Sequence, residues 1–270
     1  MARADVDLVL PASAEEAVAA FGDGAAVTVV AGGTVVMPEL VAGRVRPERA
    51  ILLARAGLGG ITREAGRVTI GATTPISALE DGDEPLATAA RHVGDPEVRA
   101  QATVGGNLCT GASADAPRGD LQAALIALGA TVRSAGRGGE RSEPVEDFLS
   151  ASAGRLVLDV SYEDGPRQTG YAAARRPHAH HYTILAVCTA RTADAVRVAV
   201  TGAGPTAIRL RAVEAAVAGG AGPAEAARRA LDDVEGSLRD DALASAWYRE
   251  RVLPKLVEDA LAAIDGAAGA

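Results

Sequence analysis

Val27-Thr28-Val29-Val30-Ala31-Gly32-Gly33-Thr34 is the stretch that decides how this chain reads. An apolar, β-type run ends abruptly in two adjacent glycines and a hydroxyl. Further along, the pattern returns as Thr103-Val104-Gly105-Gly106-Asn107. Glycine has no Cβ to hold a ligand away, and it reaches the positive φ that turns successive N–H groups toward one anion. Two such turns can grip a diphosphate from two sides, whereas either alone reads equally well as a plain hairpin turn. The hydroxyls of Thr34 and Thr103 and the amide of Asn107 add further polar partners. Rival phosphate schemes fit poorly. A P-loop needs Gly-Lys-Ser or Gly-Lys-Thr, and the single lysine is Lys255. The clusters Gly57-Leu58-Gly59-Gly60, Gly136-Arg137-Gly138-Gly139 and Gly202-Ala203-Gly204-Pro205 all miss the G-x-G-x-x-G fingerprint of a dinucleotide-binding βαβ unit.

The wider context of these turns resembles the FAD-binding subunit of the molybdenum hydroxylases, the xanthine dehydrogenase and aerobic carbon monoxide dehydrogenase family. The resemblance begins with Leu10-Pro11 and a short helix around Ala14–Phe21, then takes in Val30-Ala31-Gly32-Gly33-Thr34. It continues through Ile51-Leu52-Leu53, Ile70-Gly71-Ala72-Thr73-Thr74 and the stretch from Arg99 to Leu108. Asp120-Leu121-Gln122-Ala123-Ala124-Leu125 follows at the family's spacing, and Asp232-Asp233 with Ala246-Trp247-Tyr248-Arg249 resembles its closing helix. Order and spacing together make the match specific.

The resemblance implies an α+β chain. A two-part FAD-binding domain of the vanillyl-alcohol-oxidase/PCMH type spans residues 1–163, and an α+β C-terminal domain of the carbon monoxide dehydrogenase flavoprotein type spans 167–268. The implied cofactor is FAD, with its diphosphate between Ala31, Gly32, Gly33, Thr34 and Val35 on one side and Thr103, Gly105, Gly106 and Asn107 on the other. Asp120 stands where the family has an Asp that accepts from ribityl or ribose hydroxyls; by position it also reads as a helix cap. Val35 departs from the Asp or Ser usual there, so one side-chain contact is lost. Tyr171-Ala172-Ala173-Ala174-Arg175-Arg176 lacks the lysine the family carries near the flavin ring. Arg175 or Arg176 supplies that positive charge, or both are surface arginines. Implied partners are a large subunit with the molybdenum cofactor and a small [2Fe–2S] subunit, with this chain passing electrons from the clusters through FAD to an acceptor. A stand-alone FAD-dependent oxidoreductase and a flavin-free scaffold are the alternatives. No catalytic residue is named.

Composition sets the outer bounds. With 270 residues, 48% of them hydrophobic, the chain is long enough for two domains or one elaborated one. A net charge of −8 without a basic stripe argues against nucleic acid as a partner. No apolar run reaches the roughly 18 residues that span a bilayer, and Met1-Ala2-Arg3-Ala4-Asp5 lacks an apolar signal core, so a cytoplasmic protein without a membrane partner is expected. Two cysteines, Cys109 and Cys188, are too few for an iron–sulfur cluster. His178-Ala179-His180-His181 invites a metal reading, but no acidic or thiol ligand completes a site, so none is assigned. A surface or subunit-contact loop, or a flavin-lining role, remains open for it.

Strands are expected at Val27–Val30, Ile51–Leu53, Val68–Ile70, Thr131–Val132, Leu156–Val160 and Val196–Val200. Leu121–Leu128 reads as a helix capped by Asp120. Further helices are expected over Ala212–Ala218, from Pro223 to Leu231, and over Ala242–Ile264, the last kinked or interrupted by Pro254. Trp247 and Tyr248 read as core or interface packing. The turn-rich Glu163-Asp164-Gly165-Pro166 marks the domain boundary.

Overall fold

The computed structural model describes residues 6–111, 119–176 and 183–266. The fold itself divides into three structural segments, the first of which contains β1 (Asp7–Val9), α1 (Ala14–Phe21), β2 (Val27–Val30), α2 (Val36–Val41) and β3 (Arg49–Leu52). Its three strands form a small parallel sheet in the order β1-β3-β2. Ser13 starts α1 by accepting the Glu16 N–H at 3.2 Å, while Glu16 Oε2 accepts the Ala12 N–H at 2.8 Å. Together they satisfy one donor of the first helical turn, Glu16 N–H, and the Ala12 N–H just before the cap.

The second segment runs through β4 (Ile61–Glu64), β5 (Arg67–Gly71), α3 (Leu86–Arg91), α4 (Pro96–Gln101), α5 (Val104–Leu108) and α6 (Gln122–Ala127). It closes with β6 (Thr131–Gly136), β7 (Arg141–Pro144), α7 (Val145–Ser150) and β8 (Arg155–Glu163). Its five strands pair antiparallel in the order β4-β5-β8-β6-β7. Side chains alternate across a strand, and β8 uses both faces, with a register irregularity opposite Arg133 and Ser134 switching the parity after Leu158. Leu156 and Leu158 pack with Phe21, Ile51 and Leu53 of the small sheet, whereas Val157, Val160 and Tyr162 join the larger core around α6. One strand thus holds two layers together.

The third segment contains β9 (Gln168–Arg175), β10 (Thr183–Arg191), β11 (Val196–Thr201) and β12 (Ile208–Arg209), an antiparallel sheet in the order β12-β11-β10-β9. It is followed by α8 (Arg211–Ala218), α9 (Pro223–Ala227), α10 (Ala230–Asp233) and α11 (Ala246–Gly266). The helix expected from Pro223 to Leu231 is therefore two short ones. Pro254 does not interrupt α11. Its missing N–H removes one backbone bond, but Leu253, Val257, Ala260, Leu261 and Ile264 are buried around it and keep the helix seated. Contact with the sheet is close: a Cβ on Gly170 would lie 2.0 Å from the Ala260 carbonyl, and Thr189 Oγ1 donates to that carbonyl at 3.0 Å.

The two halves share a core through α6. All six of its residues are buried, and its cluster includes Cys188, Ala190, Ala199 and Ala207 from the third segment. The structure also corrects the start of this helix. Leu121, not Asp120, occupies the N-cap position, in helical conformation and with no side-chain cap bond. The N–H groups there go elsewhere: Leu121 donates to Asn107 Oδ1 at 3.0 Å and Gln122 to the Gly119 carbonyl at 3.1 Å.

Candidate cofactor-binding site

A cavity of about 510 Å³ lies between the small parallel sheet and the α4–α6 region. Ten of the sequence-predicted positions, namely Ala31 to Val35, Thr103, Gly105, Gly106, Asn107 and Asp120, line it together. Arg175 is not among the lining residues; it sits at the exposed end of β9. Arg176 donates to the Ala242 carbonyl at 3.1 Å. The His178–His181 cluster lies outside the described residues.

The first glycine turn is an open cradle. No hydrogen bond among the described residues takes up the backbone N–H of Gly32, Gly33, Thr34 or Val35. Gly33 has φ +73°, a conformation side chains resist, and it is what turns the chain out of β2. Gly32 is needed for a different reason. A Cβ there would lie 2.0 Å from the Gln101 carbonyl oxygen and 2.9 Å from Ala102 Cα, so the first turn rests directly on the entry to the second.

The second glycine sequence is not a turn but the short helix α5. Thr103 caps it, its Oγ1 accepting the Gly106 N–H at 3.2 Å. The remaining N–H groups are engaged: Gly105 donates to Ala72 O at 2.8 Å, Val104 to Thr74 O at 3.0 Å and Asn107 to Thr103 O at 2.8 Å. Asn107 spends its amide oxygen on Leu121. A Cβ on Gly105 would lie 2.9 Å from the Ala72 Cβ, which is why the helix can lie against the end of β5. Thr74 holds the neighbouring loop by accepting from the Gly60 N–H at 2.9 Å and donating to its carbonyl at 3.0 Å.

Three side chains escaped the sequence reading. Gln122, fully buried, donates to Leu108 O at 2.8 Å and Thr110 O at 3.2 Å, and its Oε1 accepts the Ala207 N–H at 2.9 Å. It ties the end of α5 to the C-terminal segment; a lone amide inside the apolar run Leu121–Leu128 was the available signal. Arg155 lines the far end of the cavity and donates to Ser134 Oγ, Ser134 O, Arg137 O and Gly139 O. Burial lowers its affinity for the proton from the ordinary guanidinium value. His92 stacks on Tyr171, with centroids 5.0 Å apart and planes 6° from parallel, immediately before the lining residues Val93 and Gly94.

Cys109 also lines the cavity. It touches solvent there, yet enough protein surrounds the thiol to push it up to about 11, so it stays protonated and is a poor nucleophile. Among the described residues no group of three or more His, Cys, Asp or Glu is arranged to hold a metal ion. No helix among them is long and apolar enough to cross a membrane. Open backbone donors, a hydroxyl and a carboxylate on one cavity fit a dinucleotide that carries a diphosphate and sugar hydroxyls.

Comparison with known proteins agrees with that chemistry. Residues 4–161 match the FAD binding domain in molybdopterin dehydrogenase, and residues 169–264 match the CO dehydrogenase flavoprotein C-terminal domain. The chain is 30% identical to the 6-hydroxypseudooxynicotine dehydrogenase complex subunit alpha of Paenarthrobacter nicotinovorans, over 95% of this chain and 93% of that one. It is 28% identical to the carbon monoxide dehydrogenase medium chain of Hydrogenophaga pseudoflava, over 93% of this chain and 94% of the other. A solved structure of carbon monoxide dehydrogenase from Hydrogenophaga pseudoflava, lacking the Mo-pyranopterin moiety, superposes with a TM-score of 0.83 at 27% identity, covering 98% of this chain and 99% of that chain. The chain belongs to the FAD-binding flavoprotein family of the molybdenum hydroxylases and is an oxidoreductase subunit of the carbon monoxide dehydrogenase type.

Proposed function

We propose that this chain is an electron-transfer subunit. It receives electrons from [2Fe–2S] clusters of a small partner, fed in turn by a large partner with a molybdenum cofactor, and delivers them to a separate acceptor. The observation that carries the reading is the cavity itself. One wall is a cradle of uncommitted backbone N–H groups from Gly32 to Val35, which meet a diphosphate without burying an opposing ion. Thr34 adds a hydroxyl beside it, and Asp120, which lines the same cavity, is read as the acceptor for sugar hydroxyls. Thr103, Gly105, Gly106 and Asn107 form the facing wall and hold it in place. FAD, when bound, supplies the ability to exchange electrons singly or in pairs. Arg175 lies outside the cavity, where its charge bears on His92 and Tyr171.

Among the described residues, nothing else along the cavity is equipped to oxidise a substrate. Among the described lining residues the thiol of Cys109 is held protonated, and Asp120 is the one carboxylate. The expected result is that the isolated chain binds FAD but oxidises no purine, aldehyde, N-heterocycle or carbon monoxide. Adding the molybdenum- and cluster-bearing subunits should restore substrate-dependent reduction of the flavin, followed by its visible absorbance. Robust substrate-dependent bleaching by the metal-free chain alone would contradict the proposal and make it a stand-alone flavoenzyme.

A further inference from the structure

His92 belongs to no part of the cavity chemistry just described, yet it sits where two halves of the molecule meet. Its Nδ1 lies 2.7 Å from the Thr88 carbonyl, the geometry of an Nδ1–H donor, which fixes the ring on the last turn of α3. Its face lies flat on Tyr171, which belongs to β9 of the C-terminal sheet and pairs with Cys188 in register. The next two residues, Val93 and Gly94, form cavity wall. From the other side Arg99 holds that wall, donating to Val93 O at 3.3 Å and Gly94 O at 3.2 Å while pairing with Glu80 at 2.7 Å. Gly94, at φ +49°, makes the bend between these anchors.

We propose that His92 is a positioning residue for the flavin, its ring clamped between the Thr88 carbonyl and the face of Tyr171 so that the C-terminal sheet fixes the Val93–Gly94 wall of the cavity. This rests on the reading of that cavity as the FAD site. The clamp works with a neutral imidazole. Burial and the charges of Arg175 on β9, Arg91 on α3 and Arg99 on α4 all disfavour the imidazolium, and only the Thr88 carbonyl favours it. Arg91 is paired with Glu84 and Arg99 with Glu80, and Asp120 faces the Tyr171 side of the stack. Protonation therefore loads the clamp against itself. Above the ordinary imidazole value of about 6.5 both the clamped and the released ring are neutral; below it the released ring gains a proton that the clamped one resists, so release is favoured as pH falls.

The test is FAD titration of the full-length, flavin-stripped chain at pH about 8 and pH about 5.5. Wild type, His92→Phe, which keeps a flat ring on Tyr171, and His92→Ala, which removes it, are compared. Wild type should bind FAD measurably more weakly at the lower pH than at the higher one. His92→Phe should bind nearly as well as wild type at pH 8 and lose much less at the lower pH. His92→Ala should bind weakly at both. A wild-type pH loss retained in full by His92→Phe, or wild-type affinity in His92→Ala, would overturn the proposal. Failure of wild type to bind FAD at either pH would instead overturn the reading of the cavity.

Discussion

The two glycine pairs look alike in the sequence and do different work in the structure. Gly32-Gly33 leaves its backbone donors open to the cavity and leads into α2, a helix with no buried residue and with Met37 and Val41 exposed. Gly105-Gly106 sits inside a capped helix whose donors are spent on Ala72, Thr74 and Thr103 and whose flanks Val104 and Leu108 are fully buried. The first pair is chemistry on a loosely packed edge, and the second is a rigid wall that sets how close the ligand comes. The same dipeptide serves both because each need reduces to the absence of a Cβ.

Mutations separate the two roles, and the largest effect is expected where they touch. Gly32→Val places side-chain atoms into the Gln101 carbonyl, a backbone group that cannot swing away. Relieving that overlap, at about 1–3 kcal/mol, pushes the turns apart, so FAD affinity should fall roughly tenfold to a hundredfold in a fluorescence titration. Retention of full affinity would show that the turns need not adjoin. Next is Gln122→Leu, which strips the buried Leu108, Thr110 and Ala207 backbone groups of their partner. A loss of roughly 1–3 kcal/mol in the denaturant stability of the flavin-free chain is expected; an unchanged midpoint would mean that water replaces the amide.

The smallest effects form a matched pair. Thr103→Ala removes the cap of α5 and should lower flavin-free stability by about 1 kcal/mol. Thr34→Ala removes a hydroxyl that no described hydrogen bond engages, so it should leave that stability unchanged and weaken FAD alone. Equal thermal shifts for the two variants in the absence of flavin would erase the distinction between cradle and wall.

How far the sequence carried this reading depends on the range of the interaction. The strand Val27–Val30 was legible from its local β-type run, and the helix Ala14–Phe21 from the family resemblance; the Ser13–Glu16 contacts that start that helix appear only in the structure. β10 was missed: eight of its nine residues are buried, so Thr183–Arg191 carries no alternation to mark it as a strand. α5 was missed because two glycines argue against a helix by propensity, and tertiary bonds to Ala72 and Thr74 override that preference. Asp120 looked like a cap because it precedes an apolar run, but Asn107, distant in sequence, reaches the Leu121 N–H instead. The His92–Tyr171 stack had no local signal at all, since it exists only once two domains meet.

The central claim is that the open turn from Gly32 to Val35 grips a diphosphate, and flavin selectivity tests it most directly. The flavin-stripped chain is titrated with FAD and with FMN, which carries the same ring but a single phosphate, and flavin fluorescence is followed. Charge-assisted hydrogen bonds to the second phosphate at roughly 1.5–3 kcal/mol should make FAD the tighter ligand by at least about tenfold. Equal affinity for FAD and FMN would contradict the account, because the cradle would then be holding nothing that distinguishes them.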